Sequence, residues 1–162
     1  MAASVSVRVY TGASAGTQSA AVTGIDFSSD DSATNSLVHR QANPITVGSR
    51  SYEKWMKAYV DTAPANGVAN FKVWGDGAVM ASTTLYWTGQ YVTGATPTNG
   101  SSTVANVDFS TYTSGNKGTW DTNSYSATGA TTRFLVMQLQ VGSDASAGNW
   151  TQETVNYSYD ET

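Results

Sequence analysis

A chain of 162 residues with 40% hydrophobic and 11% aromatic content is long enough for one domain with a real core, and too apolar for intrinsic disorder. Only 12% of its residues are charged, about half the soluble average, so the surface is built from Ser, Thr, Asn, Gln and Gly. The net charge of -4 argues against a nucleic-acid footprint, and zero cysteines exclude disulfides, thiolate zinc sites and Cys nucleophiles.

The opening MAASVSVRVYTG lacks the basic start and apolar stretch of a secretory signal. No uninterrupted apolar run approaches the roughly 20 residues of a membrane helix. The expectation is synthesis in the cytosol, with no membrane partner. Ser4 to Tyr10 alternates Val5, Val7 and Val9 against Ser and Arg, a strand, because side chains in a strand alternate sides. Ala21 to Phe27 reads as a second strand with Gly24 as a bulge. A polar connection follows over 26–35. Leu37–His39 and Ile45–Val47 are short strand candidates around Asn43-Pro44.

Ser51 to Asp61 is the longest one-sided strand candidate, with Tyr52, Met56, Ala58 and Val60 alternating against Glu53, Trp55, Lys57 and Tyr59. After Asn66-Gly67, Val68 to Trp74 and Ala78 to Trp87 flank Gly75-Asp76-Gly77, and Asp-Gly between two β-rich runs predicts a hairpin with Gly77 at positive φ. From Thr88 to Tyr125 the chain is rich in Gly, Thr, Ser and Asn, with Ser102 to Phe109 as a further strand among long loops. Arg133 to Tyr159 predicts a closing hairpin. Leu135, Met137, Leu139 and Val141 share one face of its first strand, and Val155, Tyr157 and Tyr159 share one face of its second. With no repeat and no dividing linker, residues 1–162 are expected to form a single all-β domain. The architecture is an antiparallel β-sandwich, jelly-roll or immunoglobulin-like, with long polar loops.

Reactive groups form no coherent set. Gly12-Ala13-Ser14-Ala15-Gly16 matches the G-x-S-x-G nucleophile elbow, but TQSAAVTG follows it where a helix is required, so it reads as a turn. His39 is the only histidine, which rules out a multi-His metal site. The carboxylates Glu53, Asp61, Asp76, Asp108, Asp121, Asp144, Glu153 and Asp160 sit in no motif that names a glycosidase pair. Asp26, Asp30 and Asp31 share a loop with Ser28 and Asn35, an oxygen-rich set of the kind calcium takes, although the spacing is not that of an EF-hand and an Asx-turn loop also fits. The expectation is a non-enzyme without cofactors. Aromatics carry the strongest binding signal: Trp74, Trp87, Trp120 and Trp150 flank turns and loops, where such rings stack on sugars or anchor protein interfaces as readily as they cap a core.

The phrases SVRVYTG, NPITVGSRSYEKWMKAYV, FKVWGDG, TTLYW and TTRFLVMQLQVGSDASAGNWTQETVNYSYDE together resemble small virion structural proteins of tailed bacteriophages, which decorate or cement heads. The likeness spans most of the chain and implies a capsid decoration protein in the virion. Its partners would be the major capsid protein lattice and further copies of itself. The motifs are structural, so the resemblance carries over no catalytic residue. A carbohydrate-binding module, or a receptor-binding tail or fibre component using exposed Trp and Tyr, is the alternative.

Overall fold

The computed structural model describes residues 2–77, 81–102, 104–146 and 154–162. In chain order its strands are β1 (Ser4–Thr11), β2 (Thr17–Val22), β3 (Lys54–Thr62), β4 (Val68–Gly75), β5 (Thr83–Tyr91), β6 (Val107–Asp108), β7 (Gly118–Asp121), β8 (Phe134–Val141) and β9 (Val155–Glu161), with one short helix, α1 (Leu37–Ala42). All pairings are antiparallel. A six-stranded sheet runs β2-β1-β3-β8-β5-β6 and a three-stranded sheet runs β7-β4-β9. The chain is the all-β sandwich its alternation predicts.

Between the sheets, Met56, Ala58 and Val60 of β3 and Leu135, Met137 and Leu139 of β8 meet Phe71 and Val73 of β4, with Trp87 and Trp120 filling the gap. Each of the four residues assigned to the core face of β8, Val141 included, is buried to 5% exposure or less. On β9, Val155 and Tyr159 pack against this core, while Tyr157 is partly exposed and sets its ring against Trp120.

The alternate residues of β8 are buried as well. Phe134 and Val136 join Tyr10, Trp55, Ala15 and Ala105 in a second cluster on the outer face of the large sheet. A loop seals that face. The Gln138 amide donates to the carbonyls of Thr98 and Gly100, and the Ser102 hydroxyl donates to Glu53, whose other oxygen accepts from Trp55 Nε1 at 2.9 Å. Buried polar groups are tolerated when paired, and here their pairing holds the cover down.

Two predicted hairpins are absent. β4 and β5 lie in different sheets, as do β8 and β9, so each connection is an arch across the sandwich. Alternation identifies a strand and its inward face, but it does not say which sheet the strand joins. Gly77 does adopt positive φ, 84°, yet β5 begins only at Thr83. Asp76 bonds to the start of β9 instead, its N–H donating to Thr154 O and its carboxylate accepting from Thr154 N. Residues 78–80 of the expected strand Ala78 to Trp87, and residues 147–153 of the expected closing hairpin, lie outside the described residues.

Other boundaries differ for local reasons. Residues 37–42 are helical, not extended, because Ser36 caps the helix by accepting from His39 N, and Pro44 follows its end. Ile45–Val47 forms no strand, and among the described residues of 102–109 only Val107–Asp108 does. The second strand is Thr17–Val22, not 21–27, and the irregularity falls at Arg8/Tyr10 in its pairing with β1.

Candidate functional site

Burial separates the tryptophans. Trp87 and Trp120 are 5% and 1% exposed, so they are core residues and not a binding platform. Both lie on inward faces, where large rings fill the space between two sheets. Trp87 packs edge-on against Phe109 and Tyr112, and Trp120 packs against Phe71 while its Nε1 donates to Arg133 O at 3.1 Å. Trp55, which the turn-flanking criterion missed, is the fully buried centre of the outer cluster, in edge contact with Phe134 and Tyr91. Trp150 lies outside the described residues.

Trp74 is the member of the set that reaches the surface. It alternates outward on β4 from Phe71 and Val73, opposite Asn156, and Lys72 pairs with Ser158 and Thr119. Register partners share a face, so Trp74 stands among Lys72, Thr119, Asn156 and Ser158 on the outer side of the small sheet. Lys72 Nζ donates to Thr119 Oγ1 at 2.9 Å, and Lys117 Nζ sits 4.2 Å from the Trp74 ring centre. The face is a rigid aromatic surrounded by short neutral polar groups and two ammonium tips.

The acidic loop is bound internally. Asp26 accepts from Ser36 N and from the Arg40 guanidinium, and Asp31 accepts from Gly12 N at 2.7 Å. Asp30 accepts from the Ser28 hydroxyl at 2.8 Å and lies 3.0 Å from His39 Nε2. Burial opposes ionisation of Asp30, but bonds to Ser28 and His39 and the charges of His39 and Lys54 outweigh it and hold its pKa below the usual value. Lys54, buried on β3, donates to Ser32 O at 2.8 Å, and burial lowers its pKa against the pull of Asp30, Asp31 and Asp26. Among the described residues, no three His, Asp or Glu side chains come together as a metal site would require. The loop, α1 and β3 are thereby clamped into one unit.

Ser14 occupies a 3-10 turn between β1 and β2 with left-handed φ of 55°, and its N–H donates to Thr96 Oγ1. It is a turn, as the missing helix implied, tied to Thr96 by that bond. Sequence reasoning also missed a groove of about 410 Å³ on the outer side of the large sheet, lined by Ala81, Ser82, Thr83, Thr84, Tyr86, Gln140 and Gly142. No helix among the described residues is long and apolar enough to cross a membrane. Comparison with protein-family models, curated proteins and solved structures finds no match to this chain.

Proposed function

We propose that this chain is a non-enzymatic structural protein of a bacteriophage virion, a capsid decoration protein that binds the assembled head through the outer face of its small sheet. The observation that carries the reading is Trp74, a partly exposed aromatic among Lys72, Thr119, Asn156 and Ser158 on the outer face of the small sheet. Its hydroxyl and amide groups lose little on desolvation, the Lys72 ammonium is already bonded to Thr119 and that of Lys117 lies against the Trp74 ring, and the aromatic anchor supplies contact area. The phage-like phrasing and the 12% charge content support the same reading, as does the internal use of Asp30, His39, Ser28 and Lys54 as a clamp. Many weak copies on one lattice gain through multivalency, so binding requires the assembled head and not free capsid subunits.

Purified protein is mixed with undecorated heads and occupancy is imaged across a salt series. The expected outcome is defined lattice positions, occupancy that persists at high salt because screened ion pairs contribute little, and reduced occupancy for Trp74→Ala. Bare heads at every salt concentration would refute the reading. Bare heads together with a glycan whose quenching of tryptophan emission disappears in Trp74→Ala would make the same face a carbohydrate platform.

A further inference from the structure

The groove on the outer side of the large sheet has the chemistry of a binding site that neither the core nor the Trp74 face explains. Leu85 and Trp87 of β5 point into the sandwich, so Thr84 and Tyr86 point out, and Thr84 pairs with Gln140 of β8 on that same outer face. The walls carry hydroxyl and amide groups: Ser82, Thr83, Thr84, Tyr86 and Gln140. The Thr84 and Tyr86 hydroxyls and the Gln140 amide make no side-chain hydrogen bond to any described residue. Three polar groups with unused capacity therefore open onto one concavity of about 410 Å³, within the range of small-ligand sites.

The walls are held still. Tyr86 packs against the outer cluster beside Val104, with the Arg50 guanidinium carbon 5.0 Å from its ring centre. Arg50 is fixed in turn by donating to Gln138 Oε1 at 3.2 Å. At the groove's end Ser82 is left-handed, φ 58°, a strained conformation for a residue with a side chain, and its carbonyl accepts from Gly142 N at 2.7 Å. Gly142 permits that approach, since a Cβ there would lie 2.8 Å from Ser82 O.

From this we infer that the Thr84–Tyr86–Gln140 groove binds a neutral saccharide. Among the described residues none of the lining side chains is charged, and the nearby Arg50 is held against Tyr86 and Gln138, which disfavours phosphate, carboxylates and metal cations. Hydroxyl and amide groups at several angles around one aromatic ring match a pyranose, which offers hydroxyls at its rim and C–H groups on its face. The inference is independent of lattice binding, because it concerns the opposite sheet.

The test titrates the full chain, by calorimetry and saturation-transfer NMR, with maltotriose, cellotriose and N,N′,N″-triacetylchitotriose, and in parallel with inorganic phosphate. At least one neutral trisaccharide should bind, with saturation transfer to its ring protons. Thr84→Val keeps the β-branched shape, and Gln140→Ala lies on a partly exposed face, so both should melt like the parent. Each should weaken binding by about tenfold, the loss of one well-made hydrogen bond, while Trp74→Ala leaves it unchanged. Failure of all three sugars to bind would overturn the inference. So would tighter binding of phosphate, affinity unaffected by Thr84→Val and Gln140→Ala, or affinity lost in Trp74→Ala.

Discussion

Gly77 and Gly118 are constrained for opposite reasons, and the contrast separates backbone strain from packing. Gly77 has φ 84° with nothing within 4 Å of where a Cβ would sit, so Gly77→Val meets only the left-handed conformation, costing on the order of 1 kcal/mol or more. A Cβ on Gly118 would lie 2.4 Å from the Trp87 ring, which Phe109 and Tyr112 enclose, so Gly118→Ala overpacks the core by about 1–3 kcal/mol. Urea midpoints should fall for both variants, with the Trp87 emission spectrum changed in Gly118→Ala alone. An unaltered midpoint in Gly77→Val would count against strain at that turn. The positive φ at Gly77 was legible because Asp-Gly is a local signal. The burial of Trp87 was not, since it depends on a glycine contributed by a different strand and sheet.

At the level of elements, β8 shows what alternation can and cannot convey. Leu135, Met137 and Leu139 mark the inward face correctly, but Phe134, Val136 and Gln138 are equally buried because a loop carrying Thr98, Gly100 and Ala105 covers the other side. A loop that packs by hydrogen bonds leaves no hydrophobic period in its own sequence, so this cover could not be read there. The same holds for the arches replacing the predicted hairpins: β4 and β9 pair with each other across the whole length of β5 to β8, a non-local choice. Sequence reasoning likewise named Trp74 among four candidates but could not tell it from Trp87 or Trp120, which sit before similar turns. The cover yields a further prediction. Glu53→Ala leaves Trp55 Nε1 and the Ser102 hydroxyl without their acceptor, at about 1–3 kcal/mol for each buried group stranded. Hydrogen exchange should then accelerate at Val104 and Ala105, whose amides are bonded to Ser102 Oγ, while β4 and β9 keep their protection. Uniform acceleration across both sheets would show that Glu53 supports the domain and not the cover.

For the molecule as a whole, side chains at the flanks link the two sheets beyond their shared core. Asp121, ending β7, accepts from Arg133 N at the start of β8 and from the Tyr125 hydroxyl, both at 2.6 Å, and Tyr157 of β9 donates to Val5 O of β1 at 2.9 Å. Burial, and then the bond to Asp121, pushes the Tyr125 pKa up to about 12, and burial raises Tyr10 and Tyr157 in the same direction. A raised tyrosine pKa means the fold prefers the protonated ring. That stabilisation is therefore present in full below the unfolded value of 10.0 and is lost as pH climbs from there toward about 12. Lys54 and Lys57 act in the opposite sense: burial lowers their pKa, so the cost of burying them eases as they deprotonate. Comparing the parent with Tyr125→Phe at each pH cancels the lysine contribution, since both proteins carry it. At neutral pH the parent should be the more stable, by the hydrogen bond to Asp121. Above pH 10 its advantage should shrink as the Tyr125 hydroxyl becomes an anion facing a carboxylate. Urea midpoints that stay parallel through the alkaline range would mean that Tyr125 ionises without consequence for the junction between the sheets.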